Sequence, residues 1–170
     1  GDVKAQYKAA TLYEQGTGVP KSIAKAFAWY KNAANQGHVE AQFKTARNYA
    51  LGTGTAKSLA EAVKWYQLAA KQGHLEAKYQ LGFIYETGAG VKRDYKGAVK
   101  LYAEAASKGN VDAQYRLGLL QSCGKGTKKS YSDALKWWGA ASQKGNAMAS
   151  FFLGYMYESG SGVKRDIGKA

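Results

Sequence analysis

The 170-residue chain carries a Gly-x-Gly pair five times, at Gly16/Gly18, Gly52/Gly54, Gly88/Gly90, Gly124/Gly126 and Gly160/Gly162. Each pair lies 36 residues beyond the last, with no insertion. An alanine followed two residues later by an aromatic keeps the same step: Ala5 with Tyr7, Ala41 with Phe43, Ala77 with Tyr79, Ala113 with Tyr115 and Ala149 with Phe151. A third phase is Gly37, Gly73, Gly109 and Gly145, each after a small-residue run such as Ala33-Ala34 or Ala69-Ala70. A fixed period between about 20 and 50 residues marks stacked supersecondary units, none of which buries its apolar face alone. The 21 glycines are therefore architectural, and a single proline leaves the stretches between them almost free of helix breakers.

Each unit reads as two helices. The first begins after the Gly-His or Gly-Asn pair and ends at the Gly-x-Gly; Ala77, Tyr79, Leu81, Ile84 and Tyr85 show its helical rather than alternating pattern. The second begins after Ser22, Ser58, Asp94, Ser130 or Asp166, residues whose side-chain oxygen accepts from first-turn amides. Ser58 and Glu61 have the spacing of a reciprocal capping box. Ala62, Val63, Trp65, Tyr66, Ala69 and Ala70 form the apolar face of one such helix, with Gly73 as its expected left-handed cap. The alanines allow close helix approach, and the Trp/Tyr pairs are expected to fill the space between units.

The pattern L-G-x-x-Y-x-x-G-x-G-V, seen at Leu81–Val91 and Leu153–Val163, is followed by a capped A-x-x-W-Y-x-x-A-A-x-x-G, seen at Ala26–Gly37 and Ala62–Gly73. Together they resemble the Sel-one-like repeat family, relatives of the tetratricopeptide repeats. The resemblance implies an all-α fold: a right-handed α/α superhelical solenoid of helix-turn-helix repeats, near 3–38, 39–74, 75–110, 111–146 and a partial 147–170. Departures are local. Ala10 and Ala46 replace the first-helix glycine, Asn48 stands where Leu12, Ile84, Leu120 and Met156 imply core, and Gln121 replaces a tyrosine. These polar intrusions are expected to soften the second and fourth units. Neither end carries the polar face of a capping repeat. The expectation is one solenoid over 1–170 excised from a longer chain, with Gly1 a cloning remnant.

Enzyme signatures are missing. His38 and His74 share a repeat position, and repeats stack ~10 Å apart, too far to share a metal with ligand bonds of ~2 Å. They read as turn residues that start a helix, where Asn110 and Asn146 stand in other copies. Cys123, the lone cysteine, excludes an intramolecular disulfide and has no base identifiable in sequence. The Gly-x-Gly pairs lack the third glycine and the strand context of a phosphate-binding loop. Glu14, Glu86 and Glu158 recur at one position and read as structural hydrogen bonds to a neighbouring unit; Glu40, Glu76 and Asp112 complement first-helix dipoles. No catalytic residue, metal or cofactor is expected, and no apolar run approaches the ~18 residues of a membrane span.

In a repeat array, the positions that vary report the surface. Along the first helices the non-core stripe reads Lys8-Thr11-Gln15, Lys44-Arg47-Leu51, Gln80-Phe83-Thr87, Arg116-Leu119-Cys123 and Phe152-Tyr155-Ser159. By analogy with helix-pair solenoids it floors the concave face, cationic in the first units and apolar in the last. Lys8, Thr11, Lys44, Arg47, Gln80, Phe83, Arg116, Leu119, Phe152 and Tyr155 are the expected partner-binding residues. A second feature is a basic ridge after each Gly-x-Gly: Lys21, Lys57, Lys92-Arg93, Lys128-Lys129 and Lys164-Arg165.

Two functions follow. The first is a non-catalytic interaction scaffold or adaptor that binds a protein or peptide segment, acidic with an apolar end, on the concave face. The alternative is polyanion or cell-envelope glycan binding through the ridge, for which the formal charge of +13 provides attraction. Nucleic acid is not an expected partner, because the aromatics that could stack on bases sit at core positions. The resemblance adds a lean towards a bacterial exported or periplasmic adaptor. The oligomeric state is left open.

Overall fold

The computed structural model describes residues 1–170, apart from the side chain of Lys169. Among the described residues every regular element is helical: α1 (Val3–Gln15), α2 (Ile23–Asn35), α3 (Val39–Leu51), α4 (Leu59–Lys71), α5 (Leu75–Thr87), α6 (Tyr95–Ser107), α7 (Val111–Cys123), α8 (Tyr131–Gln143) and α9 (Ala147–Ser159). A 3₁₀ turn, Ile167–Lys169, follows the cap Asp166. Every α-helix has 13 residues, so the 36-residue period is two equal helices and two unequal turns.

The turns explain why the period tolerates no insertion. At the end of α4 the Gly73 amide bonds to Ala70 O at 3.0 Å and the His74 amide to Ala69 O at 3.1 Å, with Gly73 at φ +91°. These two bonds are the Schellman pattern. His74 then starts the next helix, its Nδ1 accepting from the Ala77 amide at 3.1 Å. One residue thus closes one helix and opens another. Gly73 has the left-handed backbone expected of it, one residue beyond Gln72, the C-cap of α4.

The longer turn is fixed by the second-helix cap. Ser22, Ser58, Asp94, Ser130 and Asp166 all cap as expected, and each backbone amide reaches back to the preceding first helix: Ser22 N to Tyr13 O, Ser58 N to Tyr49 O, Asp94 N to Tyr85 O, all at 2.9 Å. This corrects the capping box. The Ser58 amide is taken by Tyr49 O, and the Glu61 carboxylate pairs with Lys64 instead of reaching back. Gly88, at φ +74°, has the backbone its place in the turn requires.

The chain divides into two compact units, Gly1–Leu81 with Ala89–Val91, and Gly82–Gly88 with Lys92–Ala170. In the first, Ala10, Ala26, Tyr30, Ala33, Ala34 and Ala41 form a core on which Val3, Tyr7, Tyr13 and Trp65 pack. In the second, Ala134, Trp138, Ala141, Ala149 and Met156 play that part, with Tyr115, Leu119 and Phe152 against them. The small-residue positions let helices touch: a Cβ on Gly118 would come within 2.6 Å of Trp138 Nε1. The aromatic pairs only half meet their expectation. Tyr30 and Tyr66 are buried, but Trp29 is 37% exposed, because adjacent residues point about 100° apart on a helix.

The polar intrusions meet different fates. Asn48 is buried, and its Oδ1 accepts from Thr53 Oγ1 at 3.1 Å. Gln121 keeps its buried Oε1 without a hydrogen-bond partner.

Candidate interaction surface

In the first unit the stripe is only partly free. Lys8 is exposed, and Thr11 donates to Lys8 O at 2.7 Å. Lys44 is committed: its Nζ lies 3.2 Å from the Glu14 carboxylate, which also accepts from the Tyr30 hydroxyl at 2.7 Å. Burial would raise the Glu14 pKa, yet the hydrogen bonds of Tyr30 and Lys44, with the charges of Lys44 and Arg47, hold it below the usual 4.5. Burial and the Glu14 carboxylate push the Tyr30 phenol well up. Arg47 is exposed and Leu51 is 60% exposed. They share the wall between two hollows. One, of about 510 Å³, is lined by Arg47, Ala50, Leu51, Tyr66, Glu76 and Gln80; the other, of about 210 Å³, by Glu14, Ile23, Lys44, Arg47, Leu51 and Thr53.

The second unit repeats the charge network and differs in its apolar residues. Arg116 Nη1 lies 3.4 Å from Glu86, which accepts from the Tyr102 hydroxyl at 2.7 Å, and the Arg116 guanidinium sits 4.9 Å from the Phe83 ring centre. That distance is a cation–π contact. Leu119 and Phe152 pack on the core, and the Phe152 ring stacks on Trp138 at 5.1 Å. Phe152 is therefore a packing residue here, while Tyr155 remains 56% exposed and Phe151, in the recurring aromatic register, is 64% exposed. A hollow of about 310 Å³ is lined by Glu86, Arg93, Tyr95, Leu119, Cys123 and Lys125.

All eight ridge cations, Lys21, Lys57, Lys92, Arg93, Lys128, Lys129, Lys164 and Arg165, are exposed. Some lie over aromatic rings: Lys129 is 4.6 Å from the Tyr131 centre, and Arg93 is 5.7 Å from that of Tyr95. The histidines are helix starters. His38 Nδ1 accepts from the Ala41 amide at 3.2 Å and its ring stacks on Tyr7; His74 stacks on Phe43, and its Nε2 reaches Glu40 at 3.0 Å. Among the described residues no group of His, Cys, Asp or Glu could hold a metal ion, and no helix is long and apolar enough to cross a membrane.

Two sets of cross-repeat bonds were only partly foreseen: the recurrence of Glu14 and Glu86 implies a bond to a neighbouring unit without naming Lys44 and Arg116 as partners, and the bonds between turns were missed. Successive turns are linked by Gln72 Nε2 donating to Gly37 O at 3.2 Å and Lys144 Nζ to Gly109 O at 3.1 Å, while Gln36 Nε2 to Gln6 Oε1 and Gln72 Nε2 to Gln42 Oε1, both at 2.8 Å, join the two helices of one repeat. The ion pairs form the other set. Their signal was present as joint variation at a spacing of 30: Glu14 goes with Lys44 and Glu86 with Arg116, whereas Ala50 goes with Gln80 and Ser122 with Phe152.

The Sel1 repeat model matches five contiguous segments, 3–38, 39–74, 75–110, 111–146 and 147–170. A protective antigen of uropathogenic Escherichia coli with an SLR fold is 35% identical over 98% of this chain, at a TM-score of 0.94; the chain spans 36% of that protein's length. A Sel1 repeat protein of Oxalobacter formigenes is 37% identical over 97% of this chain and 68% of its own, at a TM-score of 0.92. Helicobacter pylori cysteine rich protein B is 25% identical, covering 81% of this chain and 99% of its own, at a TM-score of 0.61. No curated protein matches the chain significantly. Repeat by repeat and helix by helix, the chain belongs to the Sel1 repeat family of α/α solenoids, whose members are generally non-catalytic scaffolds for protein–protein interaction.

Proposed function

We propose that this chain is a non-catalytic scaffold that binds an extended segment of a partner protein along its first-helix stripe, the concave side in helix-pair solenoids. The observation that carries the reading is the pairing of Arg47 with Leu51. An exposed cation and an exposed aliphatic side chain, one helical turn apart on α3, rim a groove of about 510 Å³. Leaving Leu51 in water forgoes burial worth about 1.5 kcal/mol or more, which a partner's apolar residue would recover. The cation favours an acidic residue beside it. Of the expected residues, Arg47 and Gln80 in the first unit, and separately Tyr155 in the second, are the best placed to meet a partner; Lys44 and Arg116 act through their ion pairs, and Leu119 and Phe152 through packing.

A display library of seven-residue peptides selected on the immobilised chain tests the reading. Enriched peptides should weaken at least about tenfold against an Arg47→Glu/Leu51→Asp variant and keep their affinity for Lys92→Glu/Arg93→Glu. The reverse pattern would move the function to the ridge. That second reading, polyanion or glycan binding, is supported by the exposure of all eight ridge cations.

A further inference from the structure

The second repeat keeps one half of a network whose other half it has lost. In the first and third repeats a buried tyrosine donates to a first-helix carboxylate, Tyr30 to Glu14 and Tyr102 to Glu86. Tyr66 holds the corresponding place in the second repeat, but Ala50 stands where the glutamate would be and Gln80 where Lys44 and Arg116 supply the cation. A methyl group accepts no hydrogen bond. Tyr66, 3% exposed, and Ala50 instead line the groove of about 510 Å³.

The fourth repeat shows that this vacancy is not the general result of losing the glutamate. Ser122 replaces it there, but Trp138 replaces the tyrosine as well. The indole Nε1 donates to Tyr115 O at 3.2 Å, and Phe152 stacks on the ring. The phenol and the carboxylate disappear together, and the indole, its N–H satisfied by Tyr115 O, packs against Phe152. In the second repeat the donor persists beside an open hollow.

The hollow is lined by one cation, Arg47, on the same helix as Ala50, and by one carboxylate, Glu76, which is already hydrogen-bonded. The charges that act on the Tyr66 phenol are Arg47 and Glu76. Glu76 is bound by the Gln80 amide at 2.9 Å, and the Arg47 guanidinium is exposed, one helical turn before Ala50. Leu51 follows Ala50 directly and is 60% exposed.

We infer that the Ala50 hollow receives an acidic side chain of the partner segment, its carboxylate standing where Glu14 and Glu86 stand in their own repeats. Tyr66 and Arg47 donate to it, and Leu51 takes an adjacent apolar residue. The inference rests on the scaffold reading and names its chemistry at one point of the stripe.

Three probes test it by NMR at about 150 mM salt, where the Debye length is about 8 Å: N-acetyl-Glu-Leu-amide, N-acetyl-Gln-Leu-amide and N-acetyl-Gln-Leu as the free acid. The glutamate probe should shift the Arg47 Nε–Hε and Tyr66 ring signals saturably. Each of the other two should bind at least about tenfold more weakly, as expected for loss of charge-assisted hydrogen bonds. Ala50→Glu supplies the carboxylate from within and should abolish binding of the glutamate probe, while Ala60→Glu, the same charge at an exposed α4 position, should leave it intact. Should Ala50→Glu fail to fold, Tyr66→Phe must weaken the glutamate probe by a similar factor. Equal binding of Glu and Gln probes, preference for the free acid, undiminished binding by Ala50→Glu, or no saturable shift would each overturn the assignment. Selected peptides that depend on Arg47 yet ignore Ala50→Glu would leave the scaffold reading standing and remove only this one.

Discussion

The Glu14 carboxylate is gripped from two sides, by the Tyr30 hydroxyl of α2 and the Lys44 ammonium of α3. Its pKa in the folded chain is lowered from 4.5, so the unfolded chain takes up the proton first as the solution is acidified. The stabilisation is therefore complete above the unfolded value and is lost as pH falls through the lowered folded one. Glu14→Gln should cost about 1 kcal/mol at pH 7, discounted for partial exposure. The melting-temperature gap to wild type, full at pH 7, should shrink as the pH falls below 4.5; a constant gap would contradict the charge argument. His74 makes a separable contribution. His74→Ala removes the α5 cap and should cost about 1 kcal/mol by urea unfolding. His74→Asn should recover most of that, because Asn110 and Asn146 cap α7 and α9 through Oδ1 at 2.8 and 2.9 Å. Equal losses would place the stabilisation in the Phe43 stacking and the Glu40 contact instead.

Helices and turns respond to substitution according to what lies beside them. Gly18 and Gly54 occupy the same place in successive turns, at φ +72° and +74°. A Cβ on Gly18 would meet nothing within 4 Å, whereas one on Gly54 would lie 2.6 Å from Ile23 O at the start of α2. Gly18→Ala should cost about 1 kcal/mol, the left-handed penalty alone. Gly54→Ala should cost about 3 kcal/mol, since it must also displace α2. Equal urea midpoints for the two variants would refute the packing role. Turns and caps were legible in the sequence because each demands a particular residue type at a particular place. Which of two adjacent aromatics faces inward was not: Trp29 and Tyr30 are alike in apolarity and differ only in helical phase. Ser58 and Glu61 had the right spacing, but spacing could not reveal that Tyr49 O already holds the Ser58 amide. Phe152 sits on the variable stripe, and only its stacking on Trp138 assigns it to the core. The groove was legible as a varying stripe; its division into committed and available cations, Lys44 against Arg47, needed the 30-residue pairing.

At the scale of the whole molecule, 25 Lys and Arg against 12 Asp and Glu give a charge of +13, and two surfaces compete to explain it. Polyanion attraction is long-ranged and weakened by salt, whereas a groove that reads an acidic and an apolar residue depends on local geometry. Reversing Lys92, Arg93, Lys128 and Lys129 to Glu should lower the salt at which the chain elutes from heparin, and should leave the affinity for a groove-selected peptide within about twofold. A large loss of peptide affinity in that variant would give the ridge a share in recognition. The central claim concerns where a partner segment lies, so the most direct measurement is its footprint: amide and side-chain NMR shifts on addition of a selected peptide at physiological salt. The account predicts perturbations centred on Arg47, Leu51, Tyr66 and Gln80. Perturbations centred on Lys92, Arg93, Lys128 and Lys129, with the α3 residues unmoved, would contradict it.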